Sequence, residues 1–399
     1  MLSYPHYPQP LLLLRFIIFC YIKPEHLKGE FFIMKLVFQK NNLLKAVNIV
    51  LKAVPSKTTM PILECILIDA TTDQIKFTSN DMELGIETSV EGEIVEKGSI
   101  ALDAKIFSEI IRKLPENDIV IDTSGLNTTI TCEKAKFNIS GKPSEDFSYL
   151  PFVEKNDFIT LSQFTLKEMI QQTIFSIAAN ENNKMMTGEL FEIKDNILRV
   201  VSLDGHRISI RKMELKENYE NKKIVVPGKT LIEISKILSG EVQDTVNLFF
   251  TPNHIVFQFD QTTVVSRLIE GEYFRIDQML SSDYETKVKI NKKELLSCID
   301  RATLLVKESD KKPIIISINS GYMELKIDSQ IGSMKEEIDI EKEGKDLVIG
   351  FNPKFLIDTL RVIDDEIITI FLVNPKAPCF IRDEKESYIY LILPVNFTA

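Results

Sequence analysis

The densest polar run in the sequence is Asp204-Gly205-His206-Arg207, which follows an apolar stretch at residues 198–203. A histidine titrates near neutral pH and can serve as a general base when a nucleophile, a metal or a second carboxylate stands beside it. None of these lies near His206 in sequence. Asp-Gly is a tight-turn pair whose glycine supplies positive φ, so the run reads as a turn, with His206 and Arg207 opening the next strand. Pro227-Gly228-Lys229-Thr230 ends like a phosphate-binding loop, but the glycine needed five positions before Gly228 is Lys223. Asp364-Asp365-Glu366 could attract a cation, and a solvated turn between a helix and a strand needs the same residues. The histidines number four, two of them (His6 and His26) near the start of the chain, which is too few for a His-rich metal cluster. Cys20, Cys65, Cys132, Cys298 and Cys379 are odd in number, and none is within ligand spacing of another. They read as reduced, buried thiols of a cytoplasmic protein. The expectation is a chain with no catalytic residue, no cofactor and no metal.

The elements that carry these residues recur. Asp103-Ala-Lys-Ile-Phe-Ser-Glu-Ile-Ile-Arg-Lys-Leu114, residues 227–238 and residues 352–363 share a lysine at the third position and an aliphatic residue at the twelfth. Apolar residues between them step by three and four, the period of an amphipathic helix. Asp103 and Asn352 are N-cap residues, and proline suits a first helical turn. The starts lie 124 and 125 residues apart. A second helix keeps the same beat: Phe38 precedes Leu43, Leu161 precedes Leu166, and Ile290 precedes Leu295, each by five residues. Runs at 119–121 with 129–139, 246–250 with 255–269, and 367–373 with 388–393 alternate in polarity as antiparallel strands do. The fold class is therefore α+β, with three repeats of two helices packed on antiparallel sheets. The expected domains are 34–157, 158–281 and 282–399, divided at polar stretches.

Hydrophobic residues make up 44% and charged residues 27%, an ordinary globular composition, but the net charge of −10 argues against general nucleic-acid binding. The charge is uneven. The helix windows 42–57, 103–114, 164–179, 227–238, 291–307 and 352–363 hold 15 Lys and Arg against 7 Asp and Glu. Loose, sequence-independent attraction to phosphate needs such a basic set. Residues 11–22 are apolar apart from Arg15, too short to span a bilayer and without the flanks of a signal peptide. Lys28-Gly29-Glu30 can be encoded by a ribosome-binding sequence, so residues 1–33 read as upstream sequence translated ahead of a start at Met34.

With this repeat in place, Asp204 to Ile208, Met60-Pro61-Ile62-Leu63, Thr187-Gly188 ahead of Leu190-Phe191-Glu192, Ile349-Gly350-Phe351-Asn352 and Leu393-Pro394-Val395 resemble, in order, the β subunits of bacterial DNA polymerase III. The resemblance runs from Met34 to about Asn396. It implies a DNA-clamp unit repeated three times, a head-to-tail homodimer closed into a ring, and a non-catalytic processivity factor on double-stranded DNA. The partners it implies are the replicative polymerase, the clamp loader, repair polymerases and mismatch-repair factors, with no membrane. The DNA-facing residues would be Lys57, Lys105, Arg112, Lys113, Lys229, Lys236 and Lys354. A hydrophobic pocket for short partner motifs would use Met186, Leu203, Gly205, His206, Arg207, Ile208, Phe274, Met279, Asn352, Phe355, Leu391, Ile392, Leu393, Pro394 and Val395. The dimer would join Phe137 and Ile139 to Leu304 and Leu305. The chain departs from the family pattern at Tyr273-Phe274-Arg275-Ile276 and at Asn396, and Phe397-Thr398-Ala399 would be placed to cover the pocket. Two other readings stay open on the residues alone: an interaction scaffold without DNA, and a hydrolase using His206.

Overall fold

The computed structural model describes residues 33–153, 158–179, 183–306 and 312–397. Residues 1–32, on which the reading of an upstream extension falls, lie outside the described residues. The described residues form two compact units, those within Met1–Ser79 and Glu87–Tyr149, and those within Asn80–Ile86 and Leu150–Ala399.

In the first unit, strand Ile33–Gln39 runs into helix α1 (Lys40–Val50). The strand pairs antiparallel with Asp118–Ser124, and the sheet continues through Asn127–Cys132 to an edge at Ala135–Ser140. The alternating run at 129–139 is thus two strands, split where Glu133 turns the chain at φ 50°. Helix α2 (Ala104–Lys113) lies against α1 and is capped by the Asp103 carboxylate, which accepts from the Ile106 N–H at 2.8 Å. Phe38, Phe77 and Phe107 meet at the centre, with ring centroids 6.0 and 6.3 Å apart. Full burial of a Phe side chain stabilises by about 1.5–3 kcal/mol.

The second unit contains two more helix pairs, α3 (Gln163–Gln171) with α4 (Gly228–Ile237) and α5 (Lys292–Thr303) with α6 (Pro353–Val362). Its largest sheet has nine strands. Lys222–Pro227, Gly188–Lys194, Ile197–Leu203 and Arg207–Glu214 come from the middle repeat. Tyr388–Ile392, Cys379–Arg382, Ile367–Leu372, Thr286–Asn291 and Glu341–Gly344 come from the last. The two sets join by antiparallel pairing from Arg207 opposite Ile392 to Arg211 opposite Tyr388. A four-stranded sheet ends at the edge strand Leu347–Phe351.

All six expected helices form, but three stop well short of their windows, among them α5, which ends at Thr303. α1 passes into a single 3-10 turn and stops at Ala53, because Pro55 restricts the residue before it and breaks the ladder. Lys57 therefore stands on a loop. α3 stops at Gln171, and the Thr173 hydroxyl donates to the Met169 carbonyl at 2.8 Å, competing with the backbone ladder. Pro227 is the N-cap of α4 rather than its first residue.

One tie recurs in all three repeats and was not read from the sequence. A lysine of the first helix donates to the carbonyl at the end of the second: Lys40 to Leu114 at 2.6 Å, Lys167 to Leu238 at 3.2 Å, and Lys292 to Ile363 at 2.5 Å. Each ammonium meets the negative end of a helix dipole and an otherwise open carbonyl. In the middle repeat the position of Lys40 and Lys292 is taken by buried Gln163, and the lysine comes one turn later.

Candidate partner groove and basic helix faces

The turn at 204–207 is built by Asp204, whose carboxylate accepts the N–H groups of His206 at 3.0 Å and Arg207 at 3.2 Å, with Gly205 at φ 85°. It carries Arg207 inward, where only 7% of the residue is exposed. The guanidinium donates to Asp204 at 3.0 Å, to Asp358 at 2.8 Å and to the Phe175 carbonyl at 2.6 Å. It also lies over the rings of Phe355 and Phe175, at 4.6 and 5.2 Å from their centroids. A buried charge needs such complete pairing. The His206 ring stacks on Phe355 at 5.9 Å, so it is held as a flat wall.

Leu203, Ile208 and Leu391 belong to one buried apolar cluster, against which Met186 and Phe274 pack. Leu393 follows, its N–H donating to the His206 carbonyl at 2.9 Å, and the Val395 N–H donates to Gly350 at 2.8 Å. Asn352 caps α6, its side chain accepting from the Lys354 N–H at 3.0 Å. The structure thus brings together an apolar floor and a His206–Arg207–Phe355 wall. Ile392 departs from the expected set: strand alternation turns it into the core beneath α5 and α6, while Leu391 faces the groove cluster. Met279 is exposed after the turn Ile276–Gln278, outside the cluster. Phe397 packs on Gly350, and Thr398 and Ala399, the rest of the segment expected to cover the pocket, lie outside the described residues. Met185, Tyr273, Leu280, Phe175 and Asp358 were not foreseen. Asp358 occupies an ordinary polar position of a helix, so its pairing across 151 residues leaves no local signal. A 720 Å³ cavity is lined by Leu190, Val225, Tyr273, Phe274 and Ile276 among others, residues of the same apolar cluster.

Glu189 sits on strand Gly188–Lys194 with no exposure, and neither carboxylate oxygen has a hydrogen-bond partner among the described residues. Burial raises its pKa to about 8, which the nearby Thr173 hydroxyl moderates. Glu189 in turn adds to the burial that raises the Tyr273 phenol.

The seven basic residues are all exposed. Lys105, Arg112 and Lys113 project from α2 and Lys354 from α6, and these four and Lys57 have no ion-pair partner among the described residues. Lys229 is paired with Asp81, and Lys236 with Glu233 at 2.7 Å. Two further cations of the helix windows, Lys167 and Lys292, are spent on helix-end carbonyls. The basic excess counted from sequence is therefore larger than the free excess. Phe137 and Ile139 lie on the edge strand Ala135–Ser140, Phe137 exposed and Ile139 half-buried, while Leu304 after α5 is 79% exposed.

The acidic turn at 364–366 is occupied by protein contacts. Asp365 accepts from the Tyr388 hydroxyl and Asp364 from the Gln172 amide at 3.3 Å. Thr230 is buried and bonded to Ser266 at 2.7 Å. Among the described residues no group of three or more His, Cys, Asp or Glu is placed to hold a metal, and no helix is long and apolar enough to cross a membrane.

A repeated two-helix unit on antiparallel sheets, with an apolar groove beside a buried arginine, defines a binding protein of the sliding-clamp class. Three family descriptions match in order: the DNA polymerase III beta subunit N-terminal domain at 34–151, its central domain at 160–274, and its C-terminal domain at 277–396. The beta sliding clamps of Staphylococcus epidermidis and Staphylococcus aureus are 34% identical over 375 residues, covering 91% of this chain and 99% of theirs. A putative DNA polymerase III beta subunit from Eubacterium rectale superposes with a TM-score of 0.89 at 69% identity, over 91% of this chain and 100% of that one. The Bacillus subtilis DNA polymerase sliding clamp gives 0.88 at 33%, over 92% and 100%. The fold is shared by a Pseudomonas aeruginosa clamp solved bound to griselimycin, with a TM-score of 0.86 at 23% identity, over 91% and 100%. The chain belongs to the beta sliding clamp family, the non-catalytic beta subunits of DNA polymerase III.

Proposed function

We propose that this chain works as a head-to-tail homodimer that encircles double-stranded DNA and slides without reading sequence. The observation that carries this is the basic set on helices of an otherwise acidic chain: Lys105, Arg112, Lys113 and Lys354 are exposed and unpaired among the described residues, while the net charge is −10. Free cations on an acidic protein attract phosphates diffusely and let the protein move along them. The dimer joins Phe137 and Ile139 of one copy to Leu304 and Leu305 of the other, in a heterologous contact that closes by rotation. The three repeats act as domains 34–157, 158–281 and 282–399, in the cytoplasm. The groove of Met186, Leu203, His206, Arg207, Ile208, Phe274, Phe355, Leu391 and Leu393 takes short apolar motifs of replicative polymerase, clamp loader, repair polymerases and mismatch-repair factors. Holding a polymerase there raises its effective concentration at the primer end. The test is retention after loading: the protein stays on nicked circular DNA and runs off when the circle is cut. Loss from intact circles as fast as from cut ones refutes encirclement and leaves a scaffold.

A further inference from the structure

Beyond Ile392 the chain leaves the nine-stranded sheet, and its course is set by few contacts. The Leu393 N–H donates to His206 at 2.9 Å and the Val395 N–H to Gly350 at 2.8 Å, while Pro394 has no N–H to give. Gly350 lies on the edge strand Leu347–Phe351, whose other side pairs with Ile314–Ile318. The segment thus covers an otherwise open sheet edge with one ladder bond. Its second hold is Phe397, half-buried on the backbone of Gly350. A Cβ at residue 350 would stand 2.7 Å from one carbon of that ring and 3.0 Å from the Val395 carbonyl oxygen. Gly350 is not at positive φ, so the backbone does not require glycine there. What requires it is the room taken by Phe397 and Val395.

We propose that Phe397, seated on Gly350, is a positioning residue of the partner groove: it fixes the segment from Leu393 to Val395 as a wall and thereby sets the groove's affinity. The proposal rests on the groove reading above. Phe397 touches no partner itself. It acts by holding Leu393 against His206, so that a ligand meets a formed wall and does not have to order one on binding.

Three variants and two measurements test this in the full chain. Phe397→Ala removes the ring, Gly350→Ala evicts it from the other side, and Phe397→Leu keeps an apolar plug. The probe is griselimycin, the ligand of the Pseudomonas aeruginosa clamp, which on the proposed reading occupies this groove; its binding is followed by calorimetry, and hydrogen exchange is read at the Leu393 and Val395 amides. Phe397→Ala and Gly350→Ala should each speed exchange at those amides and weaken griselimycin by about tenfold, with Phe397→Leu near the parent. Leu393→Asp, which places a charge on the wall itself, separates the two layers of argument. If it abolishes binding while Phe397→Ala leaves affinity unchanged, the positioning role is overturned and the groove stands. If Leu393→Asp also leaves griselimycin binding intact, the groove reading falls and takes the proposal with it. Unchanged exchange in Phe397→Ala overturns the seat whatever the affinities show.

Discussion

Replacing Glu189 should stabilise this protein, and by an amount that depends on pH in a calculable way. Its carboxyl is fully buried and unbonded, with a pKa of about 8 against an ordinary 4.5. The folded form holds the proton that the unfolded chain releases, so folding binds a proton between those two values. The contribution is neutral below about pH 4.5, becomes steadily more destabilising up to about pH 8, and is constant above. Two pKa values 3.5 apart give a cost of about 3 kcal/mol at pH 7, from about 2 at pH 6 to nearly 5 at pH 9. Glu189→Met removes the titration and fills the same space with an apolar chain. Urea unfolding of the variant should exceed the parent by about 3 kcal/mol at pH 7, with the gap widening by about 3 kcal/mol between pH 6 and pH 9. A gap that does not grow with pH refutes the assignment of a raised carboxyl. A variant less stable than the parent refutes the claim that the carboxylate is without a compensating partner.

Arg207→Ala strands the carboxylates of Asp204 and Asp358 and opens the space between Phe175 and Phe355, so thermal or urea unfolding should show a loss of about 3–5 kcal/mol. Alanine at Phe137 with Ile139, or at Leu304 with Leu305, should convert dimers to monomers in native mass measurement, and a surviving dimer excludes those residues from the contact. Neutralising Lys105, Arg112, Lys113 and Lys354 together should flatten the salt dependence of DNA binding by up to about four phosphate contacts, with each alone nearly silent. Lys292→Met, by contrast, should leave that slope unchanged and lower stability by about 1–3 kcal/mol through the lost carbonyl tie.

The helices were legible through apolar steps of three and four, reinforced at α2 and α6 by the capping residues Asp103 and Asn352. Their ends were less so, since Thr173 stops α3 by a hydrogen bond that no periodicity reports. Family resemblance at 203–208 and 393–395 set those residues together as a proposed groove, whereas alternation within the last strand turns Leu391 and Ile392 to opposite faces. Lysine roles could not be read: Lys167, Lys229 and Lys354 are alike in sequence, yet one closes a helix, one pairs with Asp81 and one is free. Glu189 sits in an apolar strand and looks like a solvent-facing alternate, because periodicity cannot tell which neighbour will cover it.

The backbone pairing of Arg207–Arg211 with Tyr388–Ile392 is at once the join between the middle and last repeats and part of the frame of the groove. Parting those strands would dismantle the groove, so a ligand bound there is linked to the join. Occupancy raises the free energy of separating the two repeats by RT ln(1 + [L]/Kd), about 2.7 kcal/mol at a hundredfold excess over Kd. On the proposed reading of the groove, a seated polymerase would also clamp that joint, and the two repeats should be harder to pull apart with the groove filled than with it empty.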